Sequence, residues 1–228
     1  MGRKSQRKVI VKAMADAMVS NDDIRAESRF YNLISAPGYP ELLDEMVALN
    51  NDRKQTAFII VDTPFRLNPS GTTIQNWATN ANNAVENGED GLITASNMAG
   101  AYYPSGFATN LDGSSVVVPP SHIALRTIAF NDQVAFPWFA PAGLTRGLVD
   151  NATSVGFIDS KEGEFQPVQL TEGQRDTLYA NKINPIAFIP NRGLVVFGQK
   201  TLASVASAMD RVNAVSYTHL RAHETSLH

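Results

Sequence analysis

Two short apolar runs, residues 186–189 (IAFI) and 194–197 (LVVF), stand between turn-forming residues and organise the reading of the chain. Runs of four apolar, partly β-branched residues predict strands covered on both faces. Pro190, Asn191, Arg192 and Gly193 between them have the composition of a tight turn, with Gly193 free to take a positive φ. Gly198 lets the chain leave the second run and begin an amphipathic helix over 202–212. Residues 171–181, just before the pair, read as a helix with Thr171 as cap and Glu172 in the first turn.

The same periodicities carry through the rest. Residues 8–19 predict a helix, with Val9, Ala13 and Ala17 on one stripe and Ile10, Met14 and Met18 beside it. Residues 30–35 (FYNLIS) read as a strand that stops at Ala36-Pro37-Gly38. Residues 40–50 begin with proline and two early acids, Glu41 and Asp44, which favour a helix start. Residues 57–61 (AFIIV) give the clearest strand, ending at Asp62-Thr63-Pro64. A helix over 73–87 follows, capped by Thr72 or Thr73, with Ile74, Trp77, Ala78, Ala81 and Val85 facing inward and Asn87-Gly88 closing it. Residues 91–103 hold an apolar run interrupted by Gly100, 104–115 read as loop, and 116–118 form a brief strand running into a helix over 120–130. Residues 156–166 read as a hairpin or edge loop around Gly163. Helices alternating with strands over short connections predict an α/β fold: a mixed, largely parallel sheet covered by helices, with long loops.

Composition narrows the classes of function. At 228 residues the chain can bury one substantial core, and 43% hydrophobic with 18% charged residues is ordinary for a folded, water-exposed protein. With a net charge of −3 there is no reason to expect nucleic acid as a partner. The absence of cysteine excludes disulfides, thiolate zinc sites and cysteine nucleophiles. No apolar run is long enough for membrane insertion, and Lys12 and Asp16 interrupt what would be a secretory signal, so a cytoplasmic setting is expected.

Candidate chemistry is sparse. Asp62, in the loop after Val61, sits where open α/β sheets place ligands, and an α/β hydrolase or nucleotide-binding enzyme using that loop is the alternative reading. The expected role of Asp62 and Thr63 is to cap the turn before Pro64. Gly71 lacks the lysine and glycine spacing of a phosphate loop. Ser121-His122 invites comparison with a triad, but neighbours at a helix start diverge and no nucleophile elbow is present. His219, His223 and His228 all fall in the final residues. Arg3, Lys4, Arg7, Lys8 and Lys12 are expected to form a solvated helix face. Phe136, Trp138 and Phe139, among Pro137 and Pro141, could line a ligand groove but better suit a loop pinned to the core or a contact with another subunit, and a third reading makes 136–141 an adaptor surface. The paired Tyr102 and Tyr103 are expected in the core or at an interface. No catalytic, metal or cofactor residue is assigned, and no enzyme activity is expected.

Six segments taken together resemble the core of a phage contractile tail sheath protein. They are 30–46 (FYNLISAPGYPELLDEM), 58–64 (FIIVDTP), 101–104 (AYYP), 118–122 (VPPSH), 137–143 (PWFAPAG) and 183–202 (INPIAFIPNRGLVVFGQKTL). Each alone is weak; their order from about residue 30 to 213 gives the match its specificity. The implied organisation is an N-terminal helix and linker over 1–29, a sheath core over 30–215, and a tail over 216–228 that resembles a translated sequencing adapter and not native protein. Relative to that family, linking arms at both ends are expected to be missing.

The resemblance implies a structural subunit with no cofactor. Such subunits assemble as stacked hexameric rings, a homo-oligomeric helical tube around a tail tube protein, held extended until the baseplate triggers contraction. The implied location is the virion, after assembly in the cytoplasm of the bacterial host. Lys54, Arg66, Asp112, Arg146 and Arg192 are candidates for ring-to-ring or tube contacts, weighed against ordinary solvated surface.

Overall fold

The computed structural model describes residues 2–26, 28–81, 91–92, 94–136, 139–205, 207 and 210–212. The expected helix turns at 82–87, the Asn87-Gly88 stop, Pro137, Trp138 and the adapter-like tail lie outside them.

A five-stranded sheet forms the centre, in the order β1 (Leu33–Ser35), β2 (Phe58–Asp62), β3 (Ala99–Tyr103), β8 (Ile183–Ile189), β9 (Gly193–Val196). The first four run parallel, and β9 returns antiparallel against β8. This is the mixed, largely parallel, helix-covered sheet that the alternating pattern predicts. Every residue of β2 is buried, and its side chains alternate between two cores because successive Cβ atoms leave a strand on opposite faces. Ala57, Ile59 and Val61 join one core with residues of α2 (Leu43–Asp52), α3 (Gly71–Ala78) and α6 (Glu172–Ala180). Phe58 and Ile60 join the other, with Ile123, Ala124 and Ile128 of α4 (Pro120–Val134).

A second, antiparallel sheet lies beyond α4, in the order β5 (Ser115–Val118), β4 (Ser105–Thr109), β6 (Ser154–Ile158), β7 (Phe165–Pro167). The β6–β7 pair is the hairpin expected around Gly163. A one-turn helix, α5 (Gly143–Arg146), leads to residues that cover the outer edge of β9: Val149 N–H donates to Leu194 O and Val196 N–H to Gly147 O. The opening helix, α1 (Arg3–Ser20), docks on α2 and on the 3-10 turn at Pro40–Leu42.

The pair at 183–197 folds as the turn chemistry requires. Asn191 and Gly193 both take positive φ, at 63° and 87°. Gly198 is needed for close approach, since a Cβ there would stand 2.7 Å from Asn184 Oδ1 and 2.9 Å from Asn184 Cα. The buried Asn184 then fixes the departing chain, accepting from Lys200 N–H at 2.6 Å and donating to Lys200 O at 2.8 Å. Thr171 caps α6 in a capping box with Gln174, as the sequence predicts.

Several expectations are corrected. The first strand starts at Leu33, and Phe30 is exposed. Gly100 does not break its run: it lies inside β3, where a Cβ would come within 3.0 Å of the Phe58 ring. Residues 104–115 are not simply loop, because β4 occupies 105–109. Ser70, not Thr72 or Thr73, caps α3, and the helix ends at Ala78, before Asn80 at φ 52°. The start of 202–212 is not helical, because Leu202 bridges Ser96 and Lys200 bridges Arg211. On α1 the packing stripe is Val11, Met14, Ala15 and Met18, leaving Val9, Ala13 and Ala17 exposed.

Candidate functional site

The loop after Val61 was the one place where the sequence allowed chemistry. Asp62 ends β2 with its side chain buried, and both oxygens are occupied. Oδ1 accepts from Ser121 N–H at 2.5 Å, while Oδ2 accepts from the Ser121 hydroxyl at 2.8 Å and from Gly38 N–H at 2.7 Å. Ser121 lies in the first turn of α4, where backbone N–H groups lack intrahelical partners, so Asp62 caps a helix far along the chain. Burial pushes the Asp62 carboxyl up to about 6, against the pull of these donors from Gly38 and Ser121. The adjacent Thr63 hydroxyl donates to Tyr102 O at 2.9 Å, tying β2 to β3.

This arrangement corrects the local-cap expectation. Asp62 holds together the end of β2, the turn after β1 and the start of α4, and it is not confined to the turn before Pro64. Three donors from two segments turn the buried carboxylate inward, onto the fold. Ser121 hydrogen-bonds to Asp62, whereas the His122 side chain is exposed, so the pair does not converge on a reaction centre. Tyr102 and Tyr103 are core residues; Tyr103 donates to Leu67 O at 2.8 Å. Among the described residues no group of acids and histidines has metal-binding geometry.

The basic residues of α1 divide by function. Lys4, Lys8 and Lys12 are exposed as expected, but Arg7 is not part of the solvated face. Its Nε lies 2.5 Å from Glu41 Oε1 and its Nη2 2.9 Å from Oε2, and Nη2 also donates to Gly38 O at 2.8 Å. Arg7 therefore grips by its carbonyl the same turn that Asp62 holds by its N–H. A cleft of about 240 Å³ opens beside it, lined by Ile10, Tyr39, Phe65, Arg66 and Ile158 among others. Arg66 is held by Asp159 O, and Arg146 stacks 3.8 Å over the Phe139 ring.

Comparison with known proteins places this architecture. No family model matches the sequence. The fold is that of subunits of contractile systems: it superposes on the anti-feeding prophage helical sheath in the contracted state with a TM-score of 0.57 at 17% identity, covering 86% of this chain and 45% of that one. It superposes on the contracted PVC sheath complex of an extracellular contractile injection system with a TM-score of 0.56 at 18% identity, covering 86% and 48%. In sequence, it is 36% identical over 85 residues to the tail sheath protein of Vibrio phage KVP40 and 34% identical over 85 residues to that of Enterobacteria phage T4. Each match covers 37% of this chain and 11% of the relative, so the chain aligns with about a tenth of either relative's length. The sheath resemblance read from the six segments is thus met by both kinds of comparison.

Proposed function

We propose that this chain is a structural subunit of a contractile phage tail sheath, working through contacts between copies. The supporting observation is the agreement of two comparisons: sequence relatives that are tail sheath proteins, and a sheath fold matched over most of the chain. Residues 30–215 make the core in this reading, and α1 is an accessory helix clamped to it by Arg7.

The geometry suits mechanical work. Both faces of the central sheet are filled, and close-packed interiors transmit displacement without absorbing it. The polar residues that an enzyme would use are spent on joining elements: Asp62 to Ser121, Thr63 to β3, Asn184 to the chain beyond β9. Repeated copies joined by heterologous contacts build helical tubes, and energy stored between two sets of such contacts drives a transition without bound nucleotide. In this reading the partners are further copies, a tail tube protein and a baseplate, and the location is the virion.

Sedimentation velocity across a concentration series, on a chain carrying the linking arms of the family, tests the reading. Growth into large polymers is the expected result. A single slow boundary at every concentration, with or without a tail tube protein added, would count against it.

A further inference from the structure

The cleft beside Arg7 draws its walls from α1, the turn at Tyr39, the loop after β2 and the end of β6. Ile10, Tyr39, Phe65 and Ile158 give it an apolar lining, and Arg3, Arg7 and Arg66 add positive charge. Among the described residues that line it, none is acidic. The walls are pinned to one another. Arg7 lies 4.9 Å over the Tyr39 ring while it grips Glu41. Ile158 N–H donates to Phe65 O at 2.7 Å, and Arg66 donates to Asp159 O at 2.8 Å. A concave apolar surface rimmed by cations suits an apolar side chain with an anion next to it. The cleft's 240 Å³ exceeds the ~150 Å³ that suffices for a benzene ring, so a leucine side chain fits.

The β4–β5 hairpin carries that combination. Leu111 at its tip is completely exposed, at 106% of its reference area. The tip is nonetheless fixed by its own bonds. Asn110 N–H donates to Ser114 O at 2.7 Å, and Leu111 N–H donates to Asn110 Oδ1 at 2.8 Å. Asp112 Oδ1 accepts from both the Ser114 hydroxyl and its N–H, and Gly113 supplies the positive φ of 85°. Those donated bonds hold the Asp112 carboxyl below the usual range, so an anion stands beside the exposed leucine. Tip and cleft sit at opposite ends of the second sheet. β4 and β6 are antiparallel, with Ser105 opposite Gly156 and Phe107 opposite Ser154. Ile158 therefore lies at the end where β4 begins, and the hairpin leaves from the other, about 20 Å away along the strands. The tip of a chain points away from its own cleft.

We propose that the cleft between α1 and β6 receives the β4–β5 tip of a second copy, with Leu111 on its apolar lining and Asp112 among its arginines. The apolar knob matches the apolar walls, and the anion matches a rim that carries cations and no acid among its described residues. Knob and cleft are different parts of one chain at opposite ends of one sheet, so the contact is heterologous and propagates from copy to copy. This rests on the self-assembly reading above and assigns one of its contacts.

The cysteine-free chain allows a direct test by disulfide trapping. A Leu111→Cys chain is mixed with an Ile10→Cys chain under glutathione redox buffer. The control partner is Val19→Cys, on the same helix and more exposed, about 14 Å further along it. The expected result is heterodimer formation about tenfold faster with Ile10→Cys than with the control, through the raised local concentration. Asp112→Asn in the first chain keeps an Oδ1 acceptor for Ser114 and removes the charge, and should cut that advantage to about threefold or less. Equal rates for the two partners, or an advantage that Asp112→Asn leaves unmoved, overturn the contact. With the linking arms restored, polymers that form without this cross-link overturn the contact and leave the sheath reading standing. Cross-linked pairs that never extend do the reverse.

Discussion

Ser121 gives both its backbone N–H and its hydroxyl to Asp62, at 2.5 and 2.8 Å, across 59 residues of sequence. That one carboxylate also holds Gly38, so three segments of the core meet at it. It does for the fold what an active-site acid does for a reaction, and its titration should be visible in stability.

The folded-state carboxyl titrates at about 6 against an ordinary 3.8, so the folded chain holds this proton more tightly than the unfolded chain. Stability from this group is then greatest below about pH 4, falls as pH rises towards 6, and is level above it. The full change is on the order of 3 kcal/mol. Urea midpoints from pH 4 to 7 should show this decline, and Asp62→Asn should flatten it. Identical slopes in the two proteins would mean that another group titrates.

Replacing Ser121 with alanine removes the hydroxyl donor to Asp62 Oδ2 and keeps the backbone N–H that Oδ1 accepts, so the carboxylate is held less firmly at the helix start. The expected cost is about 1–2 kcal/mol, read from urea midpoints at pH 7. Ser121→Ala should also raise the hydrogen-exchange rate of the first turn of α4 ahead of its middle. Uniform change along the helix would contradict a local anchoring role for this hydroxyl.

Glycine positions give a contrast of opposite signs. Gly198→Ala places a methyl group against the backbone of Asn184 and should cost about 1–3 kcal/mol. Gly173, on α6, has nothing within 4 Å of an added Cβ, and Gly173→Ala should stabilise by about 0.5 kcal/mol. Thermal melts of the pair check both signs.

Arg7→Ala should loosen α1 without unfolding the sheet. No residue of α1 is fully buried, so its docking leans on the grip on Glu41 and Gly38. Hydrogen exchange should speed up through residues 3–20, with the β2 and β3 amides unchanged. The midpoint should fall by about 1–2 kcal/mol, the scale of a charge-assisted pair.

Much of the central sheet was legible because its strands are continuous apolar runs, as with Phe58 to Val61 and Ile186 to Ile189. Strand β4 was not, since Ser105, Gly106 and Thr109 carry no apolar alternation; Gly106 is small because Ile123 packs against it. The end of α3 was missed because the Asn and Ala residues beyond it preserve helical spacing, while the stop comes from Asn80, whose Oδ1 accepts from Gly91 N–H. Leu202 reads as the start of a helix but is drawn into extended pairing by Ser96. At the candidate site, Asp62 could be picked out, but its partners could not. Gly38 and Ser121 lie 24 and 59 residues away, and nothing local signals a contact of that range. The same holds for Arg7, whose acid is 34 residues on. The six family-like segments carried what periodicity could not.

The claim that function resides in contacts between copies is tested most directly by electron microscopy of the purified chain, its linking arms restored, at high concentration. The account predicts regular ring or tube polymers. A field of separate particles, each showing a small molecule bound at the Asp62 loop, would contradict it.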